Sequence, residues 1–345
     1  MNLQIAMILG QDGITNGAIY ALLALSILLV FTVTRVLFIP LGEFVAFGAL
    51  TMAAFQAGKA PALIWLVAGF AVAVATADLL ASYRNSGRLR FSSAQALRLT
   101  YPFVLGYALY QMPLADLPMS VQVLLTLAIV VPLGPQTYRL FYQPIASAPV
   151  LILLIVSIAV HVALVGLALL VFGPSGAKTA PFSEAGLALG PITLNSQTLW
   201  VIAVSIALII VLYQFFERTI YGKALRATAI NRVGAQLMGI SPVFAGKASF
   251  FLATLIATLS GVLIAPITTI YYDSGFIISL KGFIGSIIGG LVSYPIAALG
   301  AVLVGLLEAF SAFWASTYKE VIVFTLIIPF LLWRSLTIRH VEEEE

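Results

Sequence analysis

Apolar stretches of transmembrane length recur along nearly the whole chain, and no other feature of the sequence restricts its fold as strongly. Between residues 5 and 333 the runs are about 17 to 25 residues long, enough for a helix to cross a hydrocarbon core of about 30 Å. Hydrophobic residues make up 61% of the chain and charged residues 9%, which is beyond the composition of water-soluble domains. Residues 201–212 are apolar apart from Ser205, whereas the strands of a membrane barrel alternate. The sequence therefore predicts an all-α, polytopic transmembrane helical bundle in which residues 1–345 form one domain.

Hydropathy and helix breakers divide this bundle into about eleven predicted spans, some of them short or broken. They cover residues 10–33, 42–55, 62–81, 98–111, 118–138, 147–171, 199–216, 243–265, 276–290, 296–315 and 320–333. Span 98–111 is short and span 276–290 is rich in glycine, so each is predicted to cross either fully or only in part. Residues 173–197 are rich in Gly and Pro and are predicted to form a folded external loop.

Lysine and arginine residues are distributed unequally between the two sides of these spans. With the N-terminus outside, the basic residues of the inner loops are Arg35, Arg84, Arg88, Arg90, Arg98, Arg139, Arg218, Lys223, Arg226, Arg232, Lys247, Arg334 and Arg339. The outer loops receive Lys59, Lys178 and Lys319. Since basic loops stay in the cytoplasm, this asymmetry predicts an external N-terminus and a cytoplasmic C-terminus. It also explains the net charge of +4 without nucleic-acid binding, which we do not expect.

The sequence offers few groups for covalent or metal chemistry. It contains no cysteine, and its histidines, His161 and His340, are far apart in the chain. Residues 173–179, GPSGAKT, lack the G-x-x-x-x-G-K-[ST] spacing of a phosphate-binding loop. We therefore expect no enzymatic activity, no metal site and no directly bound cofactor.

The polar stretch 217–241 lies between two strong spans and has the pattern of a short amphipathic helix outside the lipid. Its Ala, Leu and Met residues recur at helical spacing beside Lys223, Arg226 and Arg232. From these residues alone, a basic loop that lies on anionic lipid is as good an interpretation as the amphipathic helix.

The same stretch resembles the cytoplasmic loop of the permease subunits of branched-chain amino acid ATP-binding-cassette importers. That loop has the form G-x-A-x-R-A-x-A-x-[DN] followed by G-I-[NS], and the chain matches it in part through Ala229 and Ser241. In that family the loop is a coupling helix that docks in a groove of the ATPase subunit. The remaining matches, which the resemblance implies are the ATPase contact, are Gly222, Ala224, Arg226, Ala227, Asn231, Gly239 and Ile240.

Further segments resemble the same family. The first helix, DGITNGAIYALLALSILLVF, includes the matching Asn16, and LGEFVAFGAL matches at Gly42 and Glu43, although residues 38–41 depart from the usual N-F-A-H or N-L-A-[HQ]. Residues 62–118 look like an insertion whose two extra crossings preserve orientation. The matches to the family's glycine-rich C-terminal signature are Gly289, Gly290, Ser293, Pro295, Gly300, Gly305 and Glu308.

Ionisable groups inside spans cost about 2.5 to 3.5 kcal/mol to insert, so each is a functional candidate. Glu43, at the start of a short helix, is predicted either to line the solute pathway with Asn16 and Gly42 or to have a supporting or capping role. Glu308 is predicted to hold helices together or to contact a partner permease. The glycines predicted to serve helix packing or that interface are Gly285, Gly289, Gly290, Gly300 and Gly305.

Three other ionisable groups are predicted to be structural. Asp78 is expected to pair with Arg84, and Lys281 to lean toward the surface. His161 has no neighbouring acid in the sequence, so it is expected to hydrogen-bond a neighbouring helix.

The resemblance implies a permease subunit of the bacterial plasma (inner) membrane. This subunit forms half of a translocation pathway for branched-chain or other hydrophobic amino acids. Its implied partners are a second, homologous permease, two ATP-binding subunits that hold ATP and Mg, and an external solute-binding protein. Urea, short amides or another small organic acid are alternative solutes. The alternative class is a secondary transporter driven by an ion gradient, with candidate coupling groups Asp78, Glu43, Glu308 and His161.

Overall fold

The computed structural model describes residues 3–86, 93–183, 186–189, 192–325, 328–330 and 332, and these are mostly α-helical. The helices are α1 (Leu3–Thr34), α2 (Leu41–Gln56), α3 (Leu63–Ser86), α4 (Ser93–Gln111), α5 (Met119–Val130), α6 (Leu133–Thr137), α7 (Val150–Phe172), α8 (Ser196–Arg218), α9 (Ile220–Ile230), α10 (Arg232–Leu237), α11 (Pro242–Ile264), α12 (Ser274–Ile288), α13 (Tyr294–Trp314) and α14 (Lys319–Thr325). The strands are β1 (Gly186–Leu189) and β2 (Ile192–Asn195). The predicted helical bundle is confirmed, with one small hairpin added.

Seven helical segments in the described part of the chain are long and apolar enough to cross a membrane. They are α1, α3, α7, α8, α11, α13 and the continuous segment Met119–Ile145, which contains α5 and α6. The apolar helices α2 and α12 have only 16 and 15 residues, so α12 is about 22 Å long. Helix α12 corresponds to the glycine-rich predicted span 276–290, whereas the predicted short span 98–111 is part of the 19-residue helix α4.

The long helix α1 lies at the centre of the bundle, where it packs against α8, α11, α12 and α13. Its closest approach is to α13, because small residues face each other across the contact. A Cβ atom at Gly305 would lie 2.5 Å from the carbonyl oxygen of Gly13. Glycine at position 305 is therefore what lets the two backbones meet.

We expect the Gly305→Ala substitution to lower the free energy of unfolding by about 1 to 3 kcal/mol, because the added methyl group overpacks the contact between α1 and α13. The thermal unfolding midpoint in detergent, followed by tryptophan fluorescence, measures this loss. Gly166→Ala on α7 is the matched control, since nothing lies within 4 Å of a Cβ atom there. Equal midpoints for the two variants would contradict the packing argument.

The short helix α2 begins inside the bundle, where it crosses the start of α12. A side chain at Gly42 would collide with the carbonyl oxygen of Gly275. Most of α2 is buried, including Glu43. The crossing therefore brings a carboxylate into the interior of the protein.

The described residues between α7 and α8 form a folded segment. Ala177 pairs with Ile270, and in the hairpin Gly186 pairs with Asn195. The side chain of Asn195 then caps α8 by accepting a hydrogen bond from the backbone of Gln197. The prediction of a folded segment here, in place of a spanning helix, is confirmed.

The polar stretch 217–241 contains two helices where the sequence predicted one. Asn231 has extended backbone angles (φ −146°, ψ 100°), which end α9. Its side chain accepts a hydrogen bond from the backbone of Gly234 and so begins α10. The prediction of a single helix was wrong because Asn231 is a helix cap.

Candidate functional site

The coupling motif predicted from sequence supplies the internal framework of α9 and α10. Gly222 is buried, and a side chain there would collide with the backbone of Phe215 at the end of α8. Arg226 donates a hydrogen bond to Glu217 at 2.7 Å, and both side chains are substantially exposed. Gly239 has φ 83°, which closes α10. These residues shape the segment more than they cover its surface.

The other motif residues differ in how far they are buried. Ala224, Ala227 and Ile240 are partly buried, and Asn231 is exposed while its side chain caps α10. None of the seven is a large exposed side chain apart from Arg226.

Large apolar side chains form part of the exposed surface of α9 and α10. We call this surface the α9–α10 patch and define it by Ile230, Val233, Leu237 and Met238. Leu237 is 83% exposed and Met238 is 82% exposed. The motif comparison missed these residues, although their spacing in an otherwise polar stretch was a signal that could have found them. Apolar side chains grouped on a segment outside the long helices are typical of a protein or lipid contact.

The interior end of α9 is joined to the membrane helices by packing. Leu225 is fully buried and clusters with Leu29 and Val33 of α1 and with Ala245 of α11. A displacement of α9 would therefore move the ends of two central helices.

A second candidate site is formed where the start of α2 meets the middle of α7. Glu43 is fully buried, and its Oε1 atom lies 3.0 Å from Nδ1 of His161. The two atoms are close enough for an ion pair, but their angles do not make a hydrogen bond, so both carboxylate oxygens lack an aligned donor. The ring of Phe276 lies against the imidazole, with centroids 4.6 Å apart. The expectation that His161 has no acidic neighbour was wrong, because helix packing brings the acid from α2.

Burying the charged form of Glu43 in this position costs electrostatic free energy. A buried carboxylate without aligned donors is stabilised only by a nearby positive charge or by protonation. Protonated His161 can supply that charge, and so can a cation that enters the site. Asn16 lies partly buried on α1, and no hydrogen bond in the described residues joins its side chain to Glu43.

A third cluster of charges ties α12, α13 and α14 to α1. Nζ of Lys281 lies 2.5 Å from Oε1 of Glu308 and 3.1 Å from Oε1 of Glu320. The hydroxyl group of Tyr20 donates a hydrogen bond to the other Glu308 oxygen at 2.6 Å. Lys281 is 4% exposed, so the expectation that it leans toward the surface was wrong. The lysine is retained inside because it balances two carboxylates.

The predicted packing glycines lie on contacts of α12 and α13 within this chain. A Cβ atom at Gly285 would lie 2.6 Å from that of Ala301, and Gly289 similarly faces Ala297. Gly300 faces Ile288, and Gly290 has φ 68° just after α12. A role for them at an interface with a second permease stays a prediction.

Asp78 also has a partner that the sequence did not indicate. Nε of Arg139 donates a hydrogen bond to its Oδ1 atom at 2.7 Å. The expected pairing with Arg84 was wrong, because the π-helical turn Tyr138–Tyr142 carries Arg139 to α3.

Residues 82–331 match the family described as the permease component of the branched-chain amino acid transport system. LivH of Escherichia coli K12, named a high-affinity branched-chain amino acid transport system permease protein, is 30% identical over 143 residues, which are 41% of this chain and 46% of the relative. BraD of Pseudomonas aeruginosa, with the same description, is 34% identical over 122 residues, 35% and 40% of the two chains. A probable LivH of Methanocaldococcus jannaschii is 31% identical, over 37% and 44%.

The aligned part of the chain thus spans less than half the length of these curated relatives. Among solved structures, PsaBC from Streptococcus pneumoniae in complex with Fab is 11% identical and covers 94% of this chain and 89% of its own. Its TM-score of 0.36 is too low to argue for a common fold.

Proposed function

The chain belongs to the family of permease components of branched-chain amino acid transport systems, and on this premise we propose that it is the membrane subunit of an ATP-driven amino acid importer. In this role it forms half of a translocation pathway and pairs with a second, homologous permease. Two ATP-binding subunits bind ATP and Mg and hydrolyse the nucleotide, while an external binding protein delivers the solute. The transported solutes are branched-chain or other hydrophobic amino acids.

The observation that carries this proposal is the α9–α10 patch. Burying one exposed Leu or Met side chain contributes about 1.5 to 3 kcal/mol, so the patch supports a partner that covers it. Lys223 and Arg232 flank it and give it a positive rim that suits a protein partner with acidic groups. In our proposal this partner is the ATP-binding subunit, and the N-terminus of the chain lies outside while α9, α10 and the C-terminus lie in the cytoplasm.

Contacts between helices can transmit motion from this patch to the proposed solute site. Closure of the ATP-binding subunits moves α9, and the cluster around Leu225 transmits the motion to α1 and α11. Helix α11 packs against α2, which carries Glu43. The motion therefore opens and closes the crossing of α2 and α12 at Gly42 and Gly275, and with it access to Glu43.

In the same proposal Glu43 binds the ammonium group of the solute, with Gly42 and Asn16 along the pathway. A carboxylate with no aligned donor is suited to a cation that binds only transiently. When no solute is present, the imidazole of His161 is the polar neighbour of the Glu43 carboxylate.

Leu237→Asp is the direct test of the partner assignment. We expect it to reduce copurification of an ATP-binding subunit from native membranes about tenfold or more, because it removes one buried anchor and places a charge in the interface. The measurement is the ratio of that subunit to the permease by quantitative mass spectrometry. Gln236→Asp is the matched control, since it adds the same charge at the neighbouring exposed position.

Equal ratios for the two variants would contradict docking at the α9–α10 patch. The proposal as a whole fails if the wild-type protein never copurifies with such a subunit.

A proton-driven secondary transporter is the second candidate function, and the buried Glu43 and His161 pair favours it. Of the other candidate coupling groups, Asp78 is paired with Arg139 and Glu308 with Lys281. Uptake of leucine by proteoliposomes that contain the chain alone distinguishes the two functions. A proton gradient drives that uptake in a secondary transporter and does not in an importer subunit.

A further inference from the structure

A deep apolar groove opens beside α9, between the membrane helices α1, α8 and α13. Its volume is about 750 Å³, which is in the range of ligand-binding cavities. Apolar side chains from these three helices form most of its walls: Leu25, Leu29, Ile209, Leu212, Phe216 and Ala298.

The groove opens to the outside along α8. Near its first turn α8 is held to α1 through Gln11 and Thr198, whose side chains are 3.3 Å apart. At its other end it leads into α9. Between these points α8 is the least buried of the seven candidate spans, so the groove is open on its flank.

Two guanidinium groups lie at the end of the groove next to α9. Arg226 reaches it from α9, and Arg35 reaches it from the residue directly after α1. Arg35 is exposed, and none of the hydrogen bonds or ion pairs of the described residues uses its side chain. The hydroxyl groups of Thr32 and Tyr294 lie beside them, 3.3 Å apart. Since Arg226 is already paired with Glu217, Arg35 supplies the unbalanced positive charge of this end. The remainder of the groove is apolar.

We propose that an anionic phospholipid occupies this groove, with its phosphate at Arg35 and Arg226 and an acyl chain between α1, α8 and α13. Basic pockets between transmembrane helices on the cytoplasmic side are typical sites for anionic headgroups. The lining residues include no Asp or Glu to meet an ammonium group, which argues against a zwitterionic amino acid as the occupant.

The position of the groove gives the lipid a mechanical role. Leu225, Ala229 and Ile230 of α9 line the groove opposite Pro295 and Ala298 of α13. A bound lipid therefore contacts both α9 and the membrane helices, and it holds α9 at a fixed position relative to them. The leaflet that supplies the lipid follows from the proposed orientation, whereas the site itself does not depend on the transported solute.

Arg35→Gln tests the headgroup contact. Phosphatidylglycerol is titrated into the purified full-length protein in detergent, and the bound adduct is measured by native mass spectrometry. We expect about fivefold weaker binding, since one basic residue near an anionic headgroup contributes about 1 kcal/mol. Arg84→Gln, an exposed basic residue of α3 outside the groove, is the matched control and should bind as the wild type does.

A second pair of variants tests the acyl-chain part. Ala298→Phe fills the groove and should weaken phosphatidylglycerol binding about tenfold, because the added ring displaces several methylene groups. Leu299→Phe, at a neighbouring position that is 66% exposed, should leave binding unchanged.

Four results would overturn the proposal. The first three are equal binding by Arg35→Gln and Arg84→Gln, equal affinity for phosphatidylcholine, and displacement of the lipid by leucine. Inorganic phosphate that displaces the lipid at equal concentration would identify an anion site without an acyl-chain component, and this also overturns it. The assay uses neither ATP nor a partner subunit, so its failure is distinguishable from failure of the importer function.

Discussion

Glu43→Gln is expected to lower the rate of amino acid uptake about ten- to hundredfold at low solute concentration. A hydrogen bond to a charged group contributes about 1.5 to 3 kcal/mol, and about 1.4 kcal/mol corresponds to a factor of ten. The amide has nearly the same shape as the carboxylate but attracts an ammonium group weakly. The measurement is uptake of radiolabelled leucine by proteoliposomes that contain the complete transporter.

The control for this experiment is Asp116→Asn, which removes a carboxylate from an exposed residue far from α2 along the chain. It should transport at the wild-type rate. Unfolding midpoints of both variants separate a transport defect from loss of structure. If Glu43→Gln transports like Asp116→Asn, Glu43 does not bind the ammonium group and has a structural role with His161.

Lys281→Met is expected to have the largest effect on stability of any single substitution described here. It leaves Glu308 buried without its cation, and breaking a buried ion pair in this way costs about 3 to 5 kcal/mol. Glu320 is 35% exposed and can be hydrated, so losing Lys281 as its partner adds little to the loss of stability. The free energy of unfolding in a detergent and denaturant titration reports the change.

The double variant Lys281→Met/Glu308→Leu should recover most of that loss, because it removes both charges together. Lys319→Met is the control for charge alone, since Lys319 is 41% exposed and lies 4.0 Å from Glu320. Its effect should be less than about 1 kcal/mol. A double variant that is as unstable as Lys281→Met would show that packing, and not charge balance, retains the lysine.

Helix positions were predictable because each depends on a local property. A backbone in lipid must satisfy its own hydrogen bonds, so an apolar run of sufficient length becomes a helix whatever surrounds it. Every span predicted from hydropathy begins or continues as a helix in the described residues. The predicted ends of the last span lie partly outside the described residues. Asparagine is a common helix cap, so the residue type at Asn231 could have indicated a helix boundary. The repeating apolar pattern across it instead favoured a single helix.

The candidate sites were predictable only in part. Sequence similarity predicted that Glu43 either lines the pathway or has a supporting role and that the stretch 217–241 is a docking segment, and both stay predictions. It did not identify His161, Lys281 or the patch on α9 and α10. The first two acquire their partners from other helices, and the patch consists of residues whose exposure depends on how α9 turns against α1.

By itself the sequence determined that this protein is a helical membrane bundle, because composition and run length decide how a chain meets lipid. Tertiary structure alone decided which charges meet and where the surface opens. Glu43 meets His161 where α2 packs against α7, Gly42 and Gly275 let α2 approach α12 closely, and the groove opens between α1, α8 and α13. Such pairings depend on helix rotation and crossing, which are set by contacts between residues far apart in the chain.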